Sequence, residues 1–262
     1  MKNEIENYEY LQNQLRIGNW KLLSEFDEKL LEHPIAIFGI GGSGSPMALT
    51  LVRMGFRKVV LIDKDIVEKK NLTRQVLYSK DDIGKDKTVA AKHNLEKYHS
   101  FQTSIEVYQI DINNELDIVE KIINEVNFVF NLVDNDIALY HVAKMSRKLR
   151  KASIFFGTGI FAGMTSTLLY QDSKEGPCLA CLRGFDTNFE ELCEVYNKKN
   201  YGVTPSWYPT PSLGAAFAAV FLIKSLIGKS IAHNCITTSL YSFHVEKLRM
   251  NTKDGCKICG IK

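Results

Sequence analysis

The sequence predicts an α/β protein built on a doubly wound, mostly parallel sheet with an antiparallel C-terminal extension. Short apolar runs alternate with helical segments as far as Ser153–Phe156, and this order favours parallel strands joined by helices. After that strand the pattern changes to β-branched, alternating stretches at Met164–Tyr170 and Ile236–Arg249, which predict added antiparallel strands. A loop from about Asp172 to Pro211 lies between them, and a buried helix from Ser212 follows it.

The amino-acid totals are those of a globular protein. The chain has 262 residues, of which 45% are hydrophobic and 24% are charged, and its formal net charge is +3. This charge is too small to argue for nucleic acid as a partner. The polar start without an apolar leader core, and the absence of any apolar stretch judged long enough to span a bilayer, predict a cytoplasmic protein with no membrane partner.

The predicted domain organisation is simple. We expect an N-terminal helical arm over residues 1–32 and a single domain over residues 33–262. The domain would include a crossover loop at about residues 172–211. The length suits one large α/β domain, or a domain with a small appendage.

The first strand, turn and helix form the best-defined motif. An apolar run at Ile35–Phe38 predicts a buried strand, and a G-x-G-x-x-G turn, a helix at about Ser45–Met54 and a second strand at Val59–Ile62 follow it. The second strand ends on Asp63, where a carboxylate can accept hydrogen bonds from ribose hydroxyls. The glycines of the turn are Gly39, Gly41, Gly42 and Gly44. This βαβ unit is typical of a Rossmann-like nucleotide-binding sheet, in which phosphate meets the N-terminus of the helix.

The remaining elements of the parallel half continue the alternation. The predicted helices end near Tyr98, span Asn114–Glu125 and span Ile137–Leu149; the predicted strands are Ile105–Ile110 and Asn127–Val133. The last of these strands ends on Asp134 and Asn135. Because ligands of such sheets lie beyond the carboxyl ends of the strands, we expect the glycine turn, Asp63 and Asp134 to converge on one crevice.

Four of the six cysteines form two C-x-x-C pairs, Cys178 with Cys181 and Cys256 with Cys259. Two residues between thiolates let both sulfurs face one ion, and two such turns complete a closed tetrahedral site of four cysteines. The spacing therefore predicts a structural Zn²⁺ knuckle that ties the C-terminal tail to the middle of the chain. The alternative is two redox-active or free thiol pairs.

The order of these motifs resembles the ThiF/MoeB/HesA family, bacterial relatives of ubiquitin-activating enzymes. The family pattern is a glycine loop, D-x-D, N-L-x-R-Q, a lysine in G-x-x-K, D-N at a strand end and two C-x-x-C knuckles. Here it reads GIGGSG, DKD, NLTRQ, GKDK, DN, CLAC and CKIC, from about Tyr10 to the last knuckle.

The resemblance implies an adenylyltransferase that uses ATP and Mg²⁺ to activate a carboxylate, with Zn²⁺ in the knuckles. The glycine turn would lie against the nucleotide, Asp63 would hold the ribose, and Asn71, Arg74 and Lys87 would hold the phosphates. Asp134 would sit by Mg²⁺ with Asn135 beside it. The implied substrate is the C-terminal carboxylate of a small ubiquitin-like sulfur-carrier protein, and the implied assembly is a homodimer.

Two regions differ from the family pattern. Family members carry R-Y-x-R-Q near the N-terminus, whose second arginine reaches the partner subunit's ATP site; here Glu9–Arg16 lacks it, and Arg16 lies out of register. The segment Val195–Pro211 is richer in aromatic residues and prolines than the family's crossover loop. Cys193, in the same region, is a candidate acceptor of the activated acyl group, with a packed free cysteine as the alternative.

Other functions fit parts of this pattern. Adenylation of a ribosomal peptide in natural-product biosynthesis is the nearest alternative, and the unusual crossover segment is compatible with it. An NAD-dependent dehydrogenase would use the glycine turn but would leave NLTRQ, GKDK and the knuckles without a role. A non-catalytic nucleotide-binding scaffold would not need the intact set of Asp63, Arg74, Lys87 and Asp134.

Overall fold

The computed structural model describes residues 28–98, 103–158, 163–183 and 206–259. The strands are β1 (Ile35–Phe38), β2 (Lys58–Ile62), β3 (Ser104–Tyr108), β4 (Phe128–Asn131), β5 (Ala152–Thr158), β6 (Thr165–Gln171), β7 (Cys235–Ser239) and β8 (His244–Leu248). The helices are α1 (Gly44–Met54), α2 (Lys87–Leu95), α3 (Leu116–Glu125), α4 (Asp136–Lys148), α5 (Leu179–Arg183) and α6 (Pro209–Leu226), with short 3-10 helices at Glu28–Glu32, Lys69–Asn71 and Lys80–Asp82.

These strands form an eight-stranded sheet in the order β3-β2-β1-β4-β5-β6-β7-β8. The first five strands of this order pair in parallel, and β6, β7 and β8 add to β5 in antiparallel pairs. The chain runs outward from β1 through β2 to β3, and then returns to place β4 on the other side of β1. The carboxyl ends of β1 and β4 therefore flank a topological switch point, where doubly wound sheets bind ligands.

Helices cover both faces of the sheet. One core packs α1, α2 and α6 against side chains such as Ile35, Ile37 and Leu61, and the other packs α3 and α4 against alternate residues such as Phe38 and Val60. Successive residues of a strand point to opposite faces, so a strand covered on both sides is apolar throughout. This explains why β1 reads as a continuous buried run, and it confirms the predicted fold class.

The start of α6 differs from the prediction. The sequence predicts a helix from Ser212, because Pro209 and Pro211 should interrupt regular structure, yet α6 begins at Pro209. Proline is compatible with the first helical turn, because its missing N–H has no helical acceptor there and its φ is already suited to the helix. The prolines thus start this helix.

The C-terminal half also contains more elements than the sequence predicted. The predicted loop, residues 172–211, includes α5, and the stretch Ile236–Arg249 is a hairpin of β7 and β8. A run of 14 residues exceeds the usual length of a strand, so the chain reverses after Ser239. The helix expected to reach Tyr98 ends at Leu95. Residues 1–27, which hold most of the predicted N-terminal arm, lie outside the described residues.

Among the described residues, α6 is long and apolar enough to cross a membrane, with 18 residues and a mean hydropathy of 1.3. Our expectation that no stretch reaches such a length was therefore wrong, because the helix includes its proline-containing first turn. Half of the helix is buried in the protein. Ala215, Ala218 and Leu222 pack in the core shared with α1, which is the position of a core helix.

Candidate functional site

Two glycines of the turn after β1 are required by the fold. Gly39 has a φ of +87°, and a Cβ there would lie 2.7 Å from the carbonyl oxygen of Leu132. A Cβ on Gly44, the first residue of α1, would overlap the carbonyl oxygen of Gly39. These two positions let β1 turn sharply into α1 while the chain leaving β4 packs against the turn.

The other two glycines have open space where a side chain would be. A Cβ on Gly41 would come no closer than 3.7 Å to its nearest neighbour, Nε2 of Gln75. A Cβ on Gly42 would lie 3.7 Å from both Cδ of Arg74 and Oγ of Ser206. The fold therefore does not exclude side chains here. Their absence leaves a shallow cradle that Arg74, Gln75 and Ser206 border, at the start of α1.

This cradle fits a phosphate group. The first turn of α1 contains no acidic residue, and the side chain of Ser43 does not cap the helix. The N–H groups of Ser45 and Met47 already donate to backbone carbonyl oxygens and Pro46 has no N–H, so this turn offers the cradle the positive end of the helix dipole. Arg74 adds a guanidinium, whose fixed fork of donors matches phosphate oxygens. The donor set is that of an anion site.

Asp63 joins the end of β2 to the glycine turn. Its Oδ2 accepts a hydrogen bond of 2.7 Å from the N–H of Ile40, and its Oδ1 accepts one of 2.9 Å from the N–H of Asp65. Burial raises the pKa of Asp63, while the Lys87 ammonium and the two N–H donors oppose that rise. Each carboxylate oxygen still has a second lone pair for a ligand hydroxyl.

Lys87 lies at the end of a helix where the helix dipole disfavours a cation, but two carboxylates surround it. It is the first residue of α2, where the helix dipole favours negative charge, and its side chain is only 7% exposed. Its Nζ donates to Oδ2 of Asp65 at 2.7 Å and lies 4.0 Å from Oδ1 of Asp63. The two carboxylates hold the ammonium at the end of β2, and Asp63 links it to the glycine turn.

The NLTRQ loop is attached to the glycine turn by hydrogen bonds that the sequence did not indicate. The hydroxyl of Tyr78 donates to the carbonyl oxygen of Ile40 at 2.8 Å, and Oγ of Ser45 accepts from the N–H of Val76 at 3.2 Å. Burial, with the Asp63 carboxylate next, raises the pKa of Tyr78 well above its ordinary value, so the hydroxyl remains a donor. These bonds hold the loop against the turn.

Within the same loop, Asn71 and Arg74 have different positions. Asn71 is buried, and its Oδ1 accepts from the N–H of Glu68 at 2.8 Å, which caps the Lys69–Asn71 helix. Arg74 donates from Nη1 to the carbonyl oxygen of Lys70 at 3.0 Å while its stem lies beside Gly42. The structure thus brings Arg74 to the turn and gives Asn71 a capping contact inside the loop.

The segment that leads to Lys87 is anchored by Asp82. Burial alone would raise the pKa of Asp82, but hydrogen bonds from Ser79, Asn94 and Lys85 outweigh it and lower the pKa to about 2. Nδ2 of Asn94, on α2, donates to both Asp82 and the carbonyl oxygen of Leu77. This network ties the NLTRQ loop and α2 to one another.

The chain leaving β4 forms the opposite side of the crevice. Leu132 donates its N–H to the carbonyl oxygen of Phe38 at 2.8 Å and packs under Gly39. Asp134 follows with an exposed side chain, and Oδ1 of Asn135 caps α4 by accepting from Ala138 at 3.0 Å. Because Asn135 is the cap, the carboxylate of Asp134 is not required for that purpose.

The four paired cysteines meet as predicted. Their Sγ atoms all lie within 4.8 Å of one another, with 3.5 Å between Cys178 and Cys256 and 3.6 Å between Cys181 and Cys259. Tetrahedral Zn²⁺ with bonds of about 2.3 Å needs sulfurs about 3.8 Å apart. The N–H groups of Cys178 and Lys253 point at cluster sulfurs. The geometry and the donor set therefore fit a closed metal site.

Three residues at the crevice were missed as site residues. Gln75 is buried, and its Oε1 has no hydrogen-bond partner among the described residues; Tyr78 and Ser206 make the contacts given above. Gln75 could have been singled out as the last letter of NLTRQ, whereas no sequence signal marked Ser206. Cys193 lies outside the described residues, so its predicted role stays a prediction.

Together the sheet and this crevice define an α/β nucleotide-binding protein with a separate four-cysteine cluster. The model of the ThiF family matches residues 11–258, and the chain belongs to this family.

Relatives and solved structures agree with this assignment. The chain is 30% identical to the adenylyltransferase and sulfurtransferase UBA4 of Scheffersomyces stipitis, over 94% of this chain and 55% of that protein. It is 26% identical to the sulfur carrier protein adenylyltransferase of Thermus thermophilus, over 99% of this chain and 92% of that protein. A crystal structure of E. coli MccB with AMPCPP and selenomethionine MccA has a TM-score of 0.71 and 25% identity, over 89% of this chain and 68% of that one. The chain thus spans only about half the length of UBA4.

Proposed function

We propose that this protein adenylates the C-terminal carboxylate of a small ubiquitin-like sulfur-carrier protein, for sulfur transfer in cofactor biosynthesis. The observation that carries the proposal is the arrangement around the cradle: Arg74 at Gly42, and the buried Lys87 between Asp63 and Asp65. Two cations at this edge of the sheet suit ATP, whose triphosphate carries more charge than the diphosphate of a dinucleotide and gains charge on the leaving pyrophosphate. The Thermus relative, 92% of which is covered, supports the substrate class.

The proposed reaction joins the carboxylate to AMP. A carboxylate oxygen attacks the α-phosphorus of ATP, the bond from that phosphorus to the bridging oxygen breaks, and pyrophosphate leaves with the electron pair. No protein nucleophile is needed, so positioning and charge stabilisation supply the catalysis. The glycine cradle would hold the phosphates, Asp63 the ribose hydroxyls, and Arg74 and Lys87 the developing charge of pyrophosphate, with Asn71 nearby.

The proposal includes two metals. Mg²⁺ would be held by Asp134, a hard oxygen ligand at the end of β4, with Asn135 beside it; when bound it neutralises phosphate charge. Zn²⁺ would be held by Cys178, Cys181, Cys256 and Cys259 in a structural role. We further propose that the protein is cytoplasmic and forms a homodimer. Light scattering of the purified protein tests the dimer directly.

Adenylation of a ribosomal peptide is the second candidate. It is favoured by the likeness to E. coli MccB, whose crystal structure contains MccA. Both candidates share the chemistry at the α-phosphorus and differ only in the acyl substrate.

Pyrophosphate exchange separates these candidates. We expect labelled pyrophosphate to enter ATP only when a carrier ending in Gly-Gly is present, and not with the same carrier amidated at its C-terminus. Asp134→Ala should abolish this exchange while leaving the melting temperature unchanged, because the side chain is exposed. Exchange with a short peptide alone would favour the second candidate. Failure of every acyl substrate, or hydride transfer to NAD, would refute adenylation.

The two kinds of glycine offer a sharper test of the cradle. Gly44→Ala should lower the free energy of unfolding by about 3 kcal/mol, because its Cβ would overlap the backbone of Gly39. Gly41→Ala should change that free energy by less than about 1 kcal/mol but weaken ATP binding at least about tenfold, because the methyl group would fill the cradle. Denaturant titration and calorimetry measure the two effects. Equal ATP affinity in Gly41→Ala and the wild type would place the phosphates elsewhere.

A further inference from the structure

Helix α5 connects the cysteine cluster to the crevice. Cys178 immediately precedes it, Cys181 lies within it, and it ends on Arg183. Nη2 of Arg183 donates to Oδ1 of Asp136 at 2.8 Å. Asp136 is the first residue of α4, two positions after Asp134. Less than one helical turn lies between Cys181 and Arg183, and Arg183 contacts the segment proposed to hold Mg²⁺.

In the Arg183–Asp136 pair the carboxylate is sheltered, whereas Arg183 is an exposed residue that an aromatic ring holds in place. The side chain of Asp136 is 13% exposed and that of Arg183 is 34% exposed. The guanidinium carbon of Arg183 also lies 4.8 Å from the ring centroid of Phe155, on β5. A guanidinium stacked on a ring of the central sheet has little freedom, so its contact with Asp136 is better defined than that of an ordinary surface ion pair.

The start of α5 is fixed to the other end of α4. Arg147, on α4, donates to the carbonyl oxygens of Glu175 and Gly176 at 3.0 and 2.9 Å. Gln171, on β6, accepts from the N–H of Leu179 at 2.7 Å and donates to the carbonyl oxygen of Ala143. The knuckle that carries Cys178 and Cys181 is thus attached to α4 on one side, and Arg183 attaches it to the first turn of α4 on the other.

The segment that this pair reaches is held by backbone contacts on both sides of Asp134. Asn135 caps α4 through Ala138, and Leu132 is held against β1. Asp134, between these points, has an exposed side chain. Fixing Asp136 restricts the direction in which the chain enters α4, and with it the position of the Asp134 carboxylate.

We propose that Arg183 is a positioning residue for Asp134, so that the cysteine cluster acts on the crevice through α5 as well as joining the C-terminal tail to the domain. This inference rests on the proposed role of Asp134 at Mg²⁺. Arg183 touches neither substrate nor metal; it acts through Asp136.

A double-mutant cycle on the full-length protein tests the proposal. Arg183→Gln and Asp136→Asn should each raise the Mg²⁺ concentration at half-maximal exchange by about fivefold, as expected for loss of a charge-assisted hydrogen bond, with kcat at saturating Mg²⁺ nearly unchanged. The double variant should need no more Mg²⁺ for half-maximal exchange than the more impaired single variant, because each of the three variants loses the same ion pair. Arg183→Lys should restore most of the Mg²⁺ dependence.

Two further measurements separate positioning from stability. The Mg²⁺ dependence of ATP binding, followed by calorimetry, should shift in parallel with the exchange assay, while zinc content stays equal to that of the wild type. The matched control is Lys148→Gln, which breaks a 2.7 Å ion pair to Glu120 at the far end of α4 and should leave the Mg²⁺ dependence unchanged.

The outcomes are distinct. Unchanged Mg²⁺ dependence in Arg183→Gln, or additive effects in the double variant, would overturn the inference while leaving adenylation intact. If the wild-type protein shows Mg²⁺-dependent ATP binding but no exchange with any acyl substrate, it is the proposed function that fails.

Discussion

Replacing Lys87 with glutamine should lower kcat/KM for pyrophosphate exchange by about 10²–10³-fold, the loss typical of removing a preorganised charge from a transition state. Lys87 is the buried cation of the crevice, within 2.7 Å of Asp65 and 4.0 Å of Asp63. It is held where helix electrostatics disfavour it, so its position is not explained by the stability of α2. Steady-state exchange at saturating carrier, with ATP varied, measures the loss.

The matched control for this variant is Lys85→Gln. Lys85 lies two residues earlier, is 53% exposed at its side chain and pairs with Asp82 at 3.2 Å. It should change exchange by less than about threefold, as expected for an exposed ion pair. An equal loss in both variants would mean that the general charge of the loop matters, and would remove Lys87 from its proposed role.

The Lys87→Gln variant should also respond to pH in a defined direction. Burial raises the pKa of Asp63 and Lys87 lowers it, so removing Lys87 makes the ionised carboxylate costlier in the folded state. The stability deficit relative to the wild type should therefore be largest near neutral pH and should shrink as the pH falls through the carboxyl range, where Asp63 becomes neutral. Thermal unfolding from pH 7 to pH 4 measures this trend.

Removing the metal-binding half of the tail should give the largest effect on stability. In the Cys256→Ser, Cys259→Ser double variant we expect bound zinc to fall from about one equivalent per chain to none, with a loss of about 3–5 kcal/mol in unfolding free energy. For a chain of 262 residues this corresponds to a fall of roughly 10 °C in Tm. Prolonged treatment with a strong chelator should reproduce the same change in the wild type.

The expected loss of stability follows from the burial of Cys178 and Cys181, which makes their thiols difficult to ionise without a metal. Burial raises the pKa of Cys178, and it raises that of Cys181 to about 11. Burial acts in the same direction on Cys256, but hydrogen bonds from the backbone of Cys259 and Ile258 lower its pKa to about 7. A divalent cation would stabilise all four thiolates together, and loading would release protons.

Cys235→Ala is the control for the zinc experiment. Cys235 is a buried cysteine of β7 that is not part of the four-sulfur cluster, and its replacement should leave zinc content unchanged. Purified wild-type protein without zinc, or a Tm that survives loss of both tail cysteines, would contradict a structural metal at this site.

The local elements of the parallel half were predictable because their signals are local. The strand at Ile35–Phe38 has the predicted bounds, and α1 begins one residue before the predicted position. Glycine requirements and apolar runs act within a few residues, so they are visible in the sequence. The start of α6 was misplaced because proline has opposite effects in the first turn and in the interior of a helix.

By itself the sequence determined the fold class, the glycine turn and the cysteine pairs, since these follow from short-range patterns and spacing, whereas the roles of Arg74 and Lys87 followed from the resemblance to a family. Only the tertiary structure decided which of them meet. The contact of Tyr78 with Ile40 spans 38 positions and that of Arg183 with Asp136 spans 47. Such contacts depend on the strand order and on how helices pack across the sheet. No periodicity along the chain encodes either, so the sequence could predict a crevice at the strand ends but not the side-chain contacts that build it.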